Sequence, residues 1–371
     1  MARILYGVAG EGMGHATRSR VVIDHLAEKH QLHVVASGRA YDYLKARERP
    51  GLEVSRIWGL SIVYEDNAVR NVKTLLENVR AGLMGGLPHN VKAYFDMIEG
   101  FRPDLVVSDF ETWSWLFSKT HGIPCISVDN NQAVNRCEHP PAVTAGHYSE
   151  YLLARSVVKA KLPGCFQYLI STFFRPPTVM ARTSLHPPVL RQQILDAKPE
   201  RGEHLLVYQT STSNQALPAM LQATGRECRI YGLRRDLAED QREGNLVYRP
   251  FSEAGFIDDL RTARGVVSGG SFTLMSEAVY LHKPMLSVPV QKQFEQILNA
   301  RYLEALGYGL AADELTPEVL AHFDERLPEF ETALARYSQD GNRDLLERLD
   351  DVIAGAQGRG APLDEDEDPL T

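Results

Sequence analysis

The stretch Val266-Val267-Ser268-Gly269-Gly270-Ser271 runs an apolar strand straight into two glycines. Glu277 follows in what reads as a helix, and Lys283-Pro284-Met285-Leu286-Ser287-Val288-Pro289-Val290 reads as the next strand. Strand, glycine turn, helix, strand is the order in which an α/β chain turns backbone N–H groups toward an anion. A helix start adds about 0.3–1 kcal/mol of attraction for negative charge at an exposed site. Glycines without a Cβ let a ligand come close to the backbone. A carboxylate at Glu277 is suited to accept hydrogen bonds from a ribose. The same residues also spell an ordinary glycine-rich turn followed by a surface glutamate.

The strand–helix–strand pattern occurs twice. In the first half, residues 4–8, 31–36, 105–108 and 125–128 read as strands and residues 16–28 as a helix. In the second half, strands are expected at 204–208, 227–231, 246–248, 265–267 and 285–288, with a helix at 215–224. Short β-rich runs alternating with helices imply parallel sheets covered by helices. A chain of 371 residues exceeds one ordinary core. The expected fold class is therefore α/β, with two Rossmann-like doubly wound domains facing across a cleft. Residues 1–183 form the first domain, a Pro-rich stretch at 184–202 the linker, and residues 203–355 the second domain. Residues 356–371 read as an acidic, disordered tail, including Asp364, Asp366 and Asp368.

A net charge of −8 argues against a nucleic-acid partner. Cys125, Cys137, Cys165 and Cys228 are scattered and show neither metal-ligand spacing nor a disulfide framework. No metal site is expected. No apolar run is long enough to cross a bilayer, so the expected location is the cytoplasm.

The first half carries its own glycine loop, Gly10-Glu11-Gly12-Met13-Gly14-His15, where the first strand meets the first helix. Its GxGxG spacing departs from the dinucleotide fingerprint, and no acidic residue closes the second strand; Arg39 leaves an NADP-binding alternative open. His15 at a helix start points into the cleft, where a neutral imidazole serves as general base. Arg18, three residues on, shares its helix face. Asp109 and Glu111 follow a strand at the same sheet edge, and either is placed to orient the imidazole. Asp129-Asn130-Asn131-Gln132 ends the next strand on that edge.

Gly10-Glu11-Gly12-Met13-Gly14-His15, Pro103-Asp104-Leu105-Val106-Val107-Ser108-Asp109-Phe110-Glu111 and the stretch 269–299 together resemble GT-B glycosyltransferases. The resemblance is closest to bacterial and archaeal enzymes related to the peptidoglycan N-acetylglucosaminyltransferase. Arg249-Pro250-Phe251-Ser252 and Gln291-Lys292-Gln293-Phe294-Glu295-Gln296 fit it too. It implies an inverting, metal-independent glycosyltransferase with a nucleotide-sugar donor (UDP first) as co-substrate and no other cofactor. Ser268, Gly269, Gly270 and Ser271 would hold the diphosphate, with Thr210 and Ser211 lining the pocket. Glu277 would bind the ribose, Phe251 would lie at the base, and Gln293, Glu295 and Gln296 would reach the sugar. His15 would be the base, and Gly12, Gly14, Arg18 and Asn130 would lie on the acceptor side.

The acceptor is not named by these motifs: a glycan, a lipid-linked sugar or a small molecule all fit. The apolar run 151–174, with Arg155, Lys159 and Lys161, reads either as a surface that rests on the inner membrane face or as a helix closing the first core. A UDP-sugar 2-epimerase and a non-catalytic nucleotide-sugar-binding protein share the implied fold.

Overall fold

The computed structural model describes residues 1–10, 12–59, 64–65, 68–69, 86–209, 216–234, 236–291 and 293–357. Thr210, Ser211 and all but the first two residues of the expected tail lie outside the described residues.

The first sheet contains β1 (Arg3–Val8), β2 (Gln31–Ala36), β3 (Leu52–Arg56), β6 (Leu105–Asp109), β7 (Cys125–Asp129), β8 (Gln167–Ser171) and β9 (Thr183–His186). Its order is β3-β2-β1-β6-β7-β8-β9, and every pair is parallel. A two-stranded ribbon, β4 (Tyr64–Glu65) with β5 (Ala68–Val69), stands apart. The central strands β6 and β7 are buried at every residue, as strands covered by helices on both faces must be.

The second sheet contains β10 (Leu205–Tyr208), β11 (Cys228–Tyr231), β12 (Gln241–Glu243), β13 (Leu246–Tyr248), β14 (Gly265–Ser268), β15 (Met285–Ser287) and β16 (Gly309–Ala311). Its order is β12-β13-β11-β10-β14-β15-β16, antiparallel only at the exposed edge pair β12–β13. Strand order reverses beside β1 and β6 in one sheet and beside β10 and β14 in the other. Ligands of open α/β sheets bind at such reversals, outside the carboxyl ends of the strands. Both glycine loops lie there.

The expected division of the chain needs two changes. A boundary after residue 183 cuts through β9, which pairs with β8 from Tyr168↔Thr183 to Ser171↔His186. The helix Arg343–Ala356 does not belong to the second domain's core. Its Leu345, Leu349, Val352 and Ile353 are buried with Ile4, Val22, Ile23 and Leu26 of the first. Asp350 accepts from Lys29 Nζ at 2.6 Å and meets His25 Nε2 at 3.0 Å, while His186 Nδ1 lies 2.7 Å from Asp344. The expected tail thus begins inside this helix, at Ala356.

Aromatic rings join the two domains on one side of the cleft. Phe174 stacks on Tyr302 at 4.0 Å between centroids and Phe173 on Phe272 at 5.8 Å. His139 Nδ1 lies 2.8 Å from the Tyr302 hydroxyl. The helix α3 (Tyr148–Lys161) buries only Val158 fully, and leaves Tyr148, Leu152, Leu153 and Val157 exposed. Among the described residues, no helix is long and apolar enough to cross a membrane.

Candidate active site

Helix α1 (Met13–Ala27) starts at Gly12, whose φ of 81° favours glycine, and no side chain caps it. Its buried residues Ala16, Ser19, Val22, Ile23 and Leu26 recur at helical spacing and fix its rotation on the sheet. That rotation also carries His15 and Arg18 to the end of β6. Val8 pairs with Asp109 in the β1–β6 register, which puts the carboxylate directly beneath the glycine loop.

Asp109 is fully buried and collects four hydrogen bonds. His15 Nδ1 lies 2.8 Å from Oδ1, Arg18 Nη2 donates to Oδ1 at 2.5 Å, Arg18 Nε to Oδ2 at 3.1 Å, and Ser19 Oγ to Oδ2 at 2.7 Å. Burial pushes the Asp109 carboxyl up, but the adjacent Arg18 guanidinium and His15 imidazole outweigh it and hold the group well below the usual carboxylate range. In the tautomer that carries its proton on Nδ1, His15 donates to Asp109 and keeps Nε2 as an acceptor. The imidazole remains 16% exposed. The neighbouring Asp129 shifts the other way, raised by burial and by the charge of Asp109. Between Asp109 and Glu111, Phe110 has a φ of 57°, which is costly for a bulky residue, and its ring lies parallel to His15 at 6.5 Å.

Across the cleft, β14 ends at Ser268 and helix α5 (Phe272–Tyr280) begins after Ser271, whose side chain does not cap it. Its first-turn N–H groups therefore carry the positive end of the helix dipole without a side-chain acceptor. The two uncapped helix starts meet: a Cβ added to Gly14 would lie 2.7 Å from Thr273 Oγ1. Gly270 is required by close approach, since a Cβ there would lie 2.3 Å from Gln296 Cβ and 2.6 Å from its Cα.

The family model for glycosyl transferase family 1 matches residues 2–328. The chain belongs to this family. No curated protein sequence matches the transferase. Solved structures with the same fold include the glycosyltransferase of kitacinnamycin, at 14% identity and a TM-score of 0.65, covering 96% of this chain and 99% of that one. The glycosyltransferase SsfS6 of Streptomyces sp. SF2575, solved with thymidine diphosphate, is 17% identical with a TM-score of 0.54, covering 95% and 100%. Arabidopsis thaliana UGT89C1, solved with UDP, is 13% identical with a TM-score of 0.60, covering 95% and 100%. The fold of the transferase is thus GT-B, as the sequence motifs imply.

Several expected site residues occupy unexpected surroundings in the transferase. Asp109, not Glu111, is the carboxylate bonded to His15. Glu111 caps helix α2 (Thr112–His121), accepting from Trp113 N at 2.7 Å and Ser114 N at 2.6 Å. Arg18 is not open to an acceptor substrate: it is 3% exposed and committed to Asp109 and Asn130. Glu277 is buried and held in both oxygens by the linker residue Arg191, at 2.7 and 2.8 Å, and Arg191 also donates to Glu253 at 2.8 Å. Burial raises the Glu277 carboxyl against the pull of Arg191.

Gln296 stitches the loop to its neighbour, its Oε1 accepting from Gly270 N at 3.2 Å and Val290 N at 3.0 Å, while its Nε2 donates to Gln293 at 2.9 Å. Glu295 faces the other domain and accepts from Asn130 Nδ2 at 2.7 Å. Phe251 is 80% exposed, just before the Ser252 cap of helix α4 (Glu253–Arg261). Arg191 carries no motif that marks it as a site residue; it is found only through its partner Glu277. Among the described residues, no group of three or more His, Cys, Asp or Glu is placed to hold a metal ion.

Proposed function

We propose that this family 1 enzyme transfers a sugar, with inversion, from a nucleotide diphosphate sugar to an acceptor hydroxyl, using His15 as base. The observation that carries this reading is the placement of the His15–Asp109 pair opposite the uncapped start of α5. His15 Nε2 takes the hydroxyl proton as the new bond to the sugar's anomeric carbon forms on the face opposite the leaving group. The bond to the diphosphate oxygen breaks, and the electron pair leaves with the nucleotide diphosphate. Backbone N–H groups after Ser268-Gly269-Gly270-Ser271 receive that charge in the role a metal ion plays elsewhere. Asp109 holds the imidazole in the productive tautomer and stabilises its protonated form.

UDP and thymidine diphosphate in the solved relatives support a nucleoside diphosphate at this loop. In this reading Glu277, already paired with Arg191, accepts further hydrogen bonds from the ribose, Gln293 reaches the sugar, and Gly12 lies on the acceptor side. The finer kinship with the peptidoglycan N-acetylglucosaminyltransferase rests on the two glycine loops and on the Gln291 to Asn299 segment. A lipid-linked acceptor at the membrane face is supported by the exposed apolar side chains of α3.

Incubation with a panel of UDP- and TDP-sugars, with lipid and small-molecule acceptors, tests the reading. Release of free nucleoside diphosphate together with a glycosylated product is expected. A 2-epimerised sugar nucleotide without release, or binding without turnover across the panel, would overturn it.

A further inference from the structure

A hydrogen-bonded chain crosses from the second domain to the base in the first. Glu295 Oε1 accepts from Asn130 Nδ2 at 2.7 Å and from Asn299 Nδ2 at 3.1 Å. Asn299 Nδ2 also reaches the carbonyl of Gly270, at 3.3 Å. On its other side, Asn130 Oδ1 accepts from Arg18 Nη1 at 2.6 Å, and Arg18 grips Asp109, which holds His15. Asn130, Arg18, Asp109 and Asn299 are all at most 6% exposed. The amide of Asn130 has one orientation here: Arg18 only donates and an ionised Glu295 only accepts.

We propose that Asn130 is a positioning residue that ties closure of the donor-side domain to the orientation of the base. Glu295 presents its acceptor to Asn130 only when the domains approach. Asn130 then fixes Arg18, and Arg18 fixes the Asp109–His15 pair. Through Asn299 the same carboxylate is linked to the glycine loop, so one network reads the donor loop and sets the base. This rests on the proposed role of His15.

The test exchanges the partners' roles. In N130D a second carboxylate faces Glu295 while Arg18 keeps its acceptor, so the bridge breaks and the domains repel. In N130D combined with E295Q, the glutamine amide donates to the new aspartate and the bridge re-forms in reverse. With the donor that the panel identifies, N130D is expected to lower kcat for nucleotide release about thirtyfold, the scale of one lost charged hydrogen bond. Nucleotide affinity by calorimetry is expected to fall with it, since a nucleotide that favours closure binds less tightly when closure is hindered. The double variant is expected to recover to within about threefold of E295Q alone.

Small-angle scattering with UDP or TDP, whichever binds, reads closure without turnover: N130D stays extended and the double variant becomes compact. Should N130D fail to fold, E295A against E295Q gives the same comparison from the other domain, because glutamine keeps an acceptor and alanine does not. Independent, multiplying effects of N130D and E295Q, or equal dimensions for all variants, would overturn the proposal. Unchanged release in His15→Ala would instead overturn the role of His15, which the exchange of partners does not probe.

Discussion

On the N-terminal face of the cleft stand His15, Arg18 and Asp109, with His15 and Arg18 both held by the Asp109 carboxylate. On the C-terminal face, the matching loop presents backbone N–H groups, two glycines and two serines. In the proposed function the first face has to hold a proton acceptor in one tautomer, which takes a fixed charge behind it. The second has to meet an anion that arrives and leaves, and neutral N–H groups do so without a charge to desolvate when the site is empty. Glu277, in the helix that follows that loop, fits the contrast: its charge is already matched by Arg191. The N-terminal face therefore depends on charge pairing, and the C-terminal face on close backbone packing.

The largest expected effect breaks the charged face. Arg18→Ala strips a buried carboxylate of its partner and is expected to cost about 3–5 kcal/mol of stability in denaturant unfolding. A loss below about 1 kcal/mol would mean that Asp109 is not held ionised by Arg18. His15→Ala is expected to slow transfer at least about a hundredfold, or about 2.7 kcal/mol, with nucleotide affinity nearly unchanged. A parallel loss of affinity by calorimetry would place His15 on the donor side and erase the contrast.

On the backbone face, Glu277→Ala is expected to weaken nucleotide binding by about 1–3 kcal/mol. The loss should shrink when 2′-deoxy-UDP replaces UDP, and equal losses for both would remove the ribose from Glu277. The smallest effect belongs to the carboxylate that only caps. Glu111→Ala is expected to cost about 0.5–2 kcal/mol of stability and to leave the transfer rate of the folded enzyme unchanged. A hundredfold slower transfer would return Glu111 to the chemistry.

The two parallel sheets were legible in the sequence because their strands are short apolar runs and their loops carry glycines at the strand ends. His15 was legible for the same reason: a histidine following a glycine loop has little choice but the cleft. The choice between Asp109 and Glu111 was not, because a single residue separates them and only the left-handed turn at Phe110 sends one to the imidazole and the other to a helix start. The surroundings of Glu277 were hidden because its partner Arg191 lies 86 positions away in the linker. The bridge from Asn130 to Glu295 spans 165 positions and two domains, and no local pattern encodes it. The boundary after residue 183 missed β9 because Thr183-Ser184-Leu185-His186 lacks the apolar run that marks its neighbour β8.

The most direct test is a crystal structure with bound nucleoside diphosphate. The diphosphate is expected within hydrogen-bonding distance of the backbone N–H groups from Ser271 to Thr273, with His15 Nε2 facing it across the cleft and Asp109 still on Nδ1. A diphosphate bound instead at Gly10 to Gly14, or one held by side-chain charges away from the start of α5, would contradict the division of labour between the two faces.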